Sequence, residues 1–369
     1  MGRFALLGLL LTGTALALAT GADGGGNEAA GDRGADAAGE RLVLAVVGNE
    51  RSASAVHGER AVVADPRTGE LNSFVLPGGT LCHGPLMAVG HRVVFSGYRG
   101  SRAFAMSLPL TLRGEPASLG RADTITPSAR PGKVWLGRWH HDGKRTRATF
   151  REVAIPGEEA TSRAAGRSSN SAADGVPRDA GASRAGGEPL AVRLPRWSLI
   201  HAALPGGFVI EHRSGLALWD GDRARPLRGG RRAWPVATGS SSFAWCREPC
   251  RRVRVLTPAG ERTLTTPPHL LPQLGSGGAF SPDGSLLALP VTHERRPHAA
   301  VVDLRTREWS VIAGGRLALY GAMAWSRSAN RLYLATAGGG LRAWEPGAAR
   351  AVRLPVEPGG TVMSIATTP

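Results

Sequence analysis

The sequence predicts an all-β chain, on three observations. Apolar runs of strand length are separated by turns, the runs recur in groups of four, and helical spacing is absent. The third strands of successive groups end near Asp65, Ser107, Glu152, Asp220, Thr257, Asp303 and Glu345. They lie about 37 to 46 residues apart once one insertion is set aside. Four antiparallel strands make one propeller blade, and a blade needs neighbours to cover its two faces. The expectation is a single seven-bladed β-propeller of four-stranded blades over residues 41–369. Its ring is closed by the C-terminal strand pairing with the first blade.

The clearest unit runs from Gly277 to Ile312. Ala279 and Phe280 end a first strand, and Leu286 to Val291 form a second, with Pro290 weakening its far end. Ala299 to Asp303 and Trp309 to Ile312 are the third and fourth. Between the first two, Ser281-Pro282-Asp283-Gly284 has turn chemistry. Pro282 presets φ, Asp283 bonds back to the backbone, and Gly284 takes a positive φ.

Phe280-Ser281-Pro282-Asp283-Gly284 followed by Leu-Leu-Ala-Leu resembles the repeat of TolB-like and WD-type β-propellers. Met323 to Ser326 followed by Arg331 to Leu334 resembles a degraded copy, and Trp219-Asp220 is similar to the dipeptide that closes a WD blade. For TolB-like proteins the resemblance implies protein partners in the envelope. Those proteins also carry an N-terminal α/β domain that this chain lacks, so the specific role does not transfer.

The remaining units follow in order. Leu42 to Val47, Ala61 to Ala64 and Asn72 to Leu76 supply three strands of the first unit, whose innermost strand is missing. The tail Gly360 to Ala366 is expected to supply it, which removes an exposed sheet edge. The second unit spans Leu86 to about Ala117. The third spans Thr124 to a short end near Ile155. Residues 158–189, rich in Ser, Ala, Gly, Arg and Asp, are expected to be a disordered insertion between blades. The fourth, fifth and seventh units are expected over Ser198 to Leu227, Trp234 to Thr265 and Tyr320 to Leu354.

Residues 1–19 have the form of a secretory signal. Arg3 opens it, Phe4 to Leu18 form the apolar run, and Ala17-Leu18-Ala19 is a small-x-small cleavage site. That run falls short of the roughly 20 residues of a membrane span, and an uncleaved anchor is the competing reading. Leu11-Thr12-Gly13 resembles the start of a lipoprotein signal, but Thr14 occupies the place of the lipidated Cys, so no lipid anchor is expected. Residues 20–40 are expected to be a disordered linker. The expected location is secreted or extracytoplasmic, in the cell envelope.

The formal charge is +16, from 45 basic and 29 acidic residues, and Lys133 and Lys144 are the two lysines. Sequence order shows no single basic block with interleaved aromatics, and export argues against nucleic acid as a partner. Cys246 and Cys250 flank Arg-Glu-Pro and are expected to close a small disulfide loop, while Cys82 is left over as a buried thiol.

His140-His141-Asp142 and the pair His293 and His298 flank hairpin tips, where metal or acid–base chemistry competes with an ordinary polar tip, the preferred reading. The nine tryptophans lie in or beside strands and are assigned to packing between blades, against a sugar-stacking role. No Gly-x-Ser-x-Gly elbow, phosphate loop or dinucleotide fingerprint occurs, and no cofactor or metal is expected. The tips between second and third strands share one rim and carry Arg51, Arg99, Lys144, Arg145, Arg213, Arg247, Arg251, Arg295 and Arg296. The expectation is a basic rim that meets an envelope protein or acidic polymer. The chain is expected to be a monomeric, non-catalytic binding or scaffold module. The alternative is a hydrolase or lyase with its site at the central propeller mouth.

Overall fold

The computed structural model describes residues 39–48, 59–76, 86–99, 102–128, 130, 132–142, 145–157, 190–192, 199–212, 214–275, 277–318 and 321–368. The expected signal 1–19, residues 20–38 of the linker and the insertion 158–189 lie outside them. So do Arg51, Cys82, Lys144, Trp197 and Arg213. Among the described residues every regular element is a β-strand.

The first unit is Gly360–Thr367, Leu42–Gly48, Glu59–Ala64 and Leu71–Val75, in that spatial order. The expected pairing of the tail with the first strand of the chain is present, with Leu44 opposite Ile365. The second unit is Met87–Val89, Arg92–Arg99, Arg102–Pro109 and Ala117–Arg121. The fourth is Leu199–Leu204, Gly207–His212, Gly215–Trp219 and Ala224–Pro226. The seventh is Met323–Trp325, Leu332–Ala335, Leu341–Trp344 and Val352–Arg353.

The third unit departs from expectation. Thr124–Pro127, Lys133–Asp142 and Arg145–Ala154 are followed by Leu190–Val192, which pairs with Ala148 to Phe150. The insertion therefore interrupts the third unit instead of separating two units. Ile155 is fully buried and its N–H donates to the Gly132 carbonyl at 2.8 Å, so it ends the preceding hairpin and does not begin a strand. Glu40 also leaves the linker class, because its carboxylate accepts from the Arg327 amide and the Tyr333 hydroxyl.

The fifth unit is Ala233–Thr238, Phe243–Arg247, Arg252–Thr257 and Gly260–Thr265. The sixth is Gly278–Phe280, Leu286–His293, Arg296–Asp303 and Trp309–Arg316. Parallel pairing of Ala237 with Gly278 fuses these two into one nine-stranded sheet, which also takes Leu271–Pro272. The sheets therefore number six where separate blades had been expected. Gly278 permits the fusion, since a Cβ there would meet the Val236 carbonyl oxygen at 2.4 Å. Pro290 does not end its strand, which runs on to His293. The proline lacks an N–H but keeps its carbonyl in use, accepting from Gln273 at 2.9 Å.

Strand alternation decides the core. Val43 and Ala45 pack on Val93 and Phe95 of the second unit, while Leu42, Leu44 and Val46 pack with Tyr333 and Leu341 of the seventh. Leu287, Leu289 and Val291 face the fifth unit, and Ala288 between them faces the seventh. The remaining clusters join the second unit to the third, the third to the fourth, and the fourth to the fifth. Each buried Val, Leu or Ile contributes about 1.5–3 kcal/mol. The outcome is a propeller-like arrangement of sheets packed face to face.

Antiparallel order gives each unit two ends. The turns between first and second, and between third and fourth, strands lie at one end, here the turn rim. The tips between second and third strands, and the connections to the next unit, lie at the other, here the tip rim.

Candidate functional site at the tip rim

The carboxylates of the turn rim fold the turns. Asp303 accepts from the Arg305 and Thr306 amides at 2.7 and 2.8 Å, Asp65 does the same for Arg67 and Thr68, and Asp220 for Asp222 and Arg223. The Thr306 amide foremost holds the Asp303 carboxyl below its usual range, against the opposing effect of burial and with the Arg305 amide adding to it. Asp283 accepts from Ser281 and Ser285. Several arginines at this end have carboxylate partners: Arg41 pairs with Asp65, Arg225 with Asp220, and Arg331 with Glu345, while Arg67, Arg223, Arg305 and Arg350 are also exposed here.

The tip rim between the fifth and sixth units differs. Arg247, Arg251, Arg295 and Arg296 are exposed there, as are Arg231, Arg232 and Arg316. Of the other basic residues expected on this rim, Arg99 and Arg145 stand at strand ends beside their tips. Glu294 and Arg295 both take positive φ, 49° and 63°, as a two-residue tip of the sixth unit requires. Cys246 and Cys250 form a disulfide with Cα atoms 5.2 Å apart, and the Cys250 amide donates to the Arg247 carbonyl at 2.7 Å. Arg247 and Arg251 thus leave a cross-linked loop. Arg251 donates to the Pro268 carbonyl at 2.8 Å, which ties that loop to the connection entering the sixth unit.

Two apolar side chains are exposed at the same end: Trp234 at 48% and Leu271 at 39%. Packing accounts for most of the tryptophans as expected. Trp219, Trp245, Trp325 and Trp344 are buried, and Trp245, Trp325 and Trp344 each donate Nε1–H to a carbonyl. Trp234 departs from that reading. It lies at the opening of the first strand of its unit, at the tip rim, and is about half exposed.

The histidines also depart from expectation. His298 is the cross-strand partner of Val291, and His293 lies two residues beyond Val291, so both rings project from the face that Val291 shares with the fifth unit. They extend the apolar layer outward to the rim. The ring centroids of His293 and His298 are 5.7 Å apart, and His269 stands 5.6 Å from His293. The Nδ1 atoms of His293 and His298 are buried without a hydrogen-bond partner. Burial foremost, then the neighbouring His293 and Arg316, pushes the His298 pKa down. These rings are therefore not a solvated polar tip, because the segment 267–275 covers them. It docks through buried Leu270, the pairing of Leu271 with Thr292, and Gly275 N–H on the Pro235 carbonyl at 3.1 Å.

Sequence reasoning missed His269, since only this docking brings it to the pair; Pro267-Pro268 ahead of it was the local signal. His140 keeps the polar-tip reading: it is exposed and lies 3.5 Å from the Thr149 hydroxyl. Among the described residues no group of three His, Cys, Asp or Glu is arranged to hold a metal ion.

No protein-family model matches the sequence, and no curated protein matches it. Solved structures do. The β-propeller domain of the trilobed protease from Pyrococcus furiosus has 10% identity and a TM-score of 0.53, over 85% of this chain and 93% of that one. That domain has an open velcro topology. Pyrococcus horikoshii acylaminoacyl peptidase has 11% identity and a TM-score of 0.54, over 85% of this chain; the chain spans 50% of the peptidase. TolB from Acinetobacter baumannii has 10% identity and a TM-score of 0.48, over 89% of this chain and 66% of TolB. At these identities the likeness is one of fold, and the fold is the propeller arrangement that the repeats predict.

Proposed function

We propose that the chain is an exported, non-catalytic binding module. It is a closed seven-bladed β-propeller that presents its tip rim to an envelope protein or acidic polymer. Counting the nine-stranded sheet as two blades makes seven four-stranded units. Each inter-unit cluster joins consecutive units, and one of them joins the seventh back to the first. The pairing of Leu42–Gly48 with Gly360–Thr367 supports closure in the same sense. The signal-like first 19 residues and the Cys246–Cys250 disulfide fit an oxidising compartment. No described helix is long and apolar enough to cross a membrane.

The observation that carries the binding reading is the difference between the rims. Turn-rim carboxylates hold turns and pair with arginines. The tip rim carries exposed arginines of the fifth and sixth units and exposed Trp234, with Glu248 and Glu294 as the nearby acids in sequence. An exposed aromatic beside unneutralised cations fits an anionic partner that also offers a flat or apolar surface. The test is retention of purified acidic envelope polymer and of envelope proteins on the immobilised mature chain. Replacing Arg247, Arg295 and Arg296 with Ser together is expected to abolish retention at physiological salt. Equal retention by the triple variant would overturn the reading.

One observation favours an enzyme as the second reading. His201 Nε2 lies 2.9 Å from Glu211 in the fourth unit, as in an oriented general base. A turnover that His201→Gln removes and Arg295→Ser leaves intact would establish a hydrolase or lyase instead.

A further inference from the structure

The imidazoles of His269, His293 and His298 lie in series where the apolar layer between the fifth and sixth units reaches the tip rim. Two of their ring nitrogens, Nδ1 of His293 and of His298, are shut off from solvent and bond to nothing. A buried polar atom without a partner implies a missing one. The surrounding charge decides what that partner is. Arg316 lies across the strand pair from His298, and Arg296 across from His293. From the fifth-unit side comes His269, beside the Pro268 carbonyl that Arg251 engages. The acidic group nearby is Glu294, whose side chain is 82% exposed and 3.9 Å from His293 Nε2. Arg296 and Arg316 face the two nitrogens across the strands and further imidazoles line the same row, which favours a missing partner of negative charge.

We propose that His293 and His298, flanked by His269, Arg296 and Arg316, bind an oxyanion group (sulfate, phosphate or carboxylate), and that binding takes up protons at the imidazoles. This rests on, and deepens, the reading of the tip rim as the binding face. Burial first, then the neighbouring His293 and Arg316, holds the His298 pKa below its ordinary value in the free protein. An oxyanion reverses that balance by accepting from Nδ1–H and favouring the imidazolium. Affinity therefore rises as pH falls, by about tenfold for each histidine whose pKa the anion raises by one unit. The same group can arrive as a free ion or as a substituent of an acidic polymer.

The test uses the full chain. Histidine Cε1–Hε1 resonances are followed through pH titrations in sodium sulfate and in sodium chloride of equal ionic strength. The His293 and His298 signals are expected to shift with sulfate and to titrate at higher pH, and His298→Gln is expected to abolish the response of His293. Signals that behave alike in both salts, or that respond to zinc chloride and not to sulfate, overturn the site. His269→Gln, at an exposed position, repeats the test if His298→Gln fails to fold. A second arm measures dextran sulfate binding at pH 5.5 and 7.5. Binding about tenfold tighter at the lower pH, with the difference lost in His293→Gln, supports the site with a polymer as source. A response to free sulfate without dextran sulfate binding upholds the oxyanion site and overturns the polymer reading above. Polymer binding independent of pH and of both histidines leaves the rim reading standing and overturns this one.

Discussion

The Arg41 amide donates to the Thr368 hydroxyl at 2.9 Å, across 327 residues of chain. The Thr368 amide returns the bond to the Arg41 carbonyl at 2.9 Å, so the two ends of the described fold are stapled together. The strand between Gly360 and Thr367 buries Val362 and Ile365 against the seventh unit. Removing residues 361–369 opens an edge on Leu42–Gly48 and strips that packing. A thermal scan is expected to show a markedly lower Tm, and Ile365→Ala alone to cost about 2–5 kcal/mol. An unchanged Tm in the truncated chain would count against closure by this strand.

The turn at Ser281 recurs at Ser326 with alanine in place of the glycine. Gly284 has φ +70°, and Ala329 has φ +60° in the corresponding turn, where its amide donates to the Ser326 carbonyl at 3.0 Å. An L-residue there costs about 1–2 kcal/mol. Ala329→Gly is therefore expected to stabilise by up to about 1 kcal/mol, since glycine also gains freedom in the unfolded chain. Gly284→Ala is expected to destabilise by a similar amount, as a Cβ there meets nothing within 4 Å and only backbone strain is added. Gly69→Ala is expected to cost far more, because its Cβ would stand 2.1 Å from the Pro355 carbonyl oxygen. Equilibrium denaturation of the three variants checks the order.

Asp303 sets an acid limit. Its folded pKa lies below the ordinary carboxylate value, chiefly through the Thr306 amide. A depressed carboxylate contributes stability that is complete above its unfolded pKa and is lost as pH falls through the folded one. Asp303→Asn is expected to lower Tm at pH 7 and to converge on the parent as pH drops below about 4. A gap that does not narrow at all as pH falls from about 4 toward acid unfolding would place the effect elsewhere.

Trp234 and Trp245 separate surface from core. Trp234→Ala removes a side chain that is 48% exposed and is expected to leave Tm within about a degree, because substitutions away from packed sites cost little. Trp245, fully buried with its Nε1–H on the Arg228 carbonyl, is expected to cost about 3–5 kcal/mol when replaced by Ala. Ligand retention should respond the other way, with Trp234→Ala weakening it. Loss of folding in Trp234→Ala would remove that residue from the binding face.

Much of the fold was legible because strand order and turn chemistry are local. Ser281 to Gly284, Asp65 with Thr68, and Asp303 with Thr306 make their turn bonds within a few residues, so their spacing alone locates strand ends. The tail could be assigned to the first unit because that unit had three apolar strands and Gly360 to Ala366 was one strand left over. Arg247, Arg251, Arg295 and Arg296 could be placed on one rim because alternation of strand direction puts every second tip at the same end.

What tertiary structure alone decided depends on contacts between distant segments. Leu190–Val192 completes the third unit across the insertion, and nothing in its three residues names Ala148 to Phe150 as the partner. Gly278 reads as one more glycine until the Val236 carbonyl stands where its Cβ would be. His269 becomes part of a cluster only when Leu270 sinks into the layer between two units. Local sequence determined the strands, the turns and the repeat, because hydrogen bonds within a few residues and two-residue alternation act along the chain. Packing between units decided which side chains are covered, because burial depends on what lies across the gap.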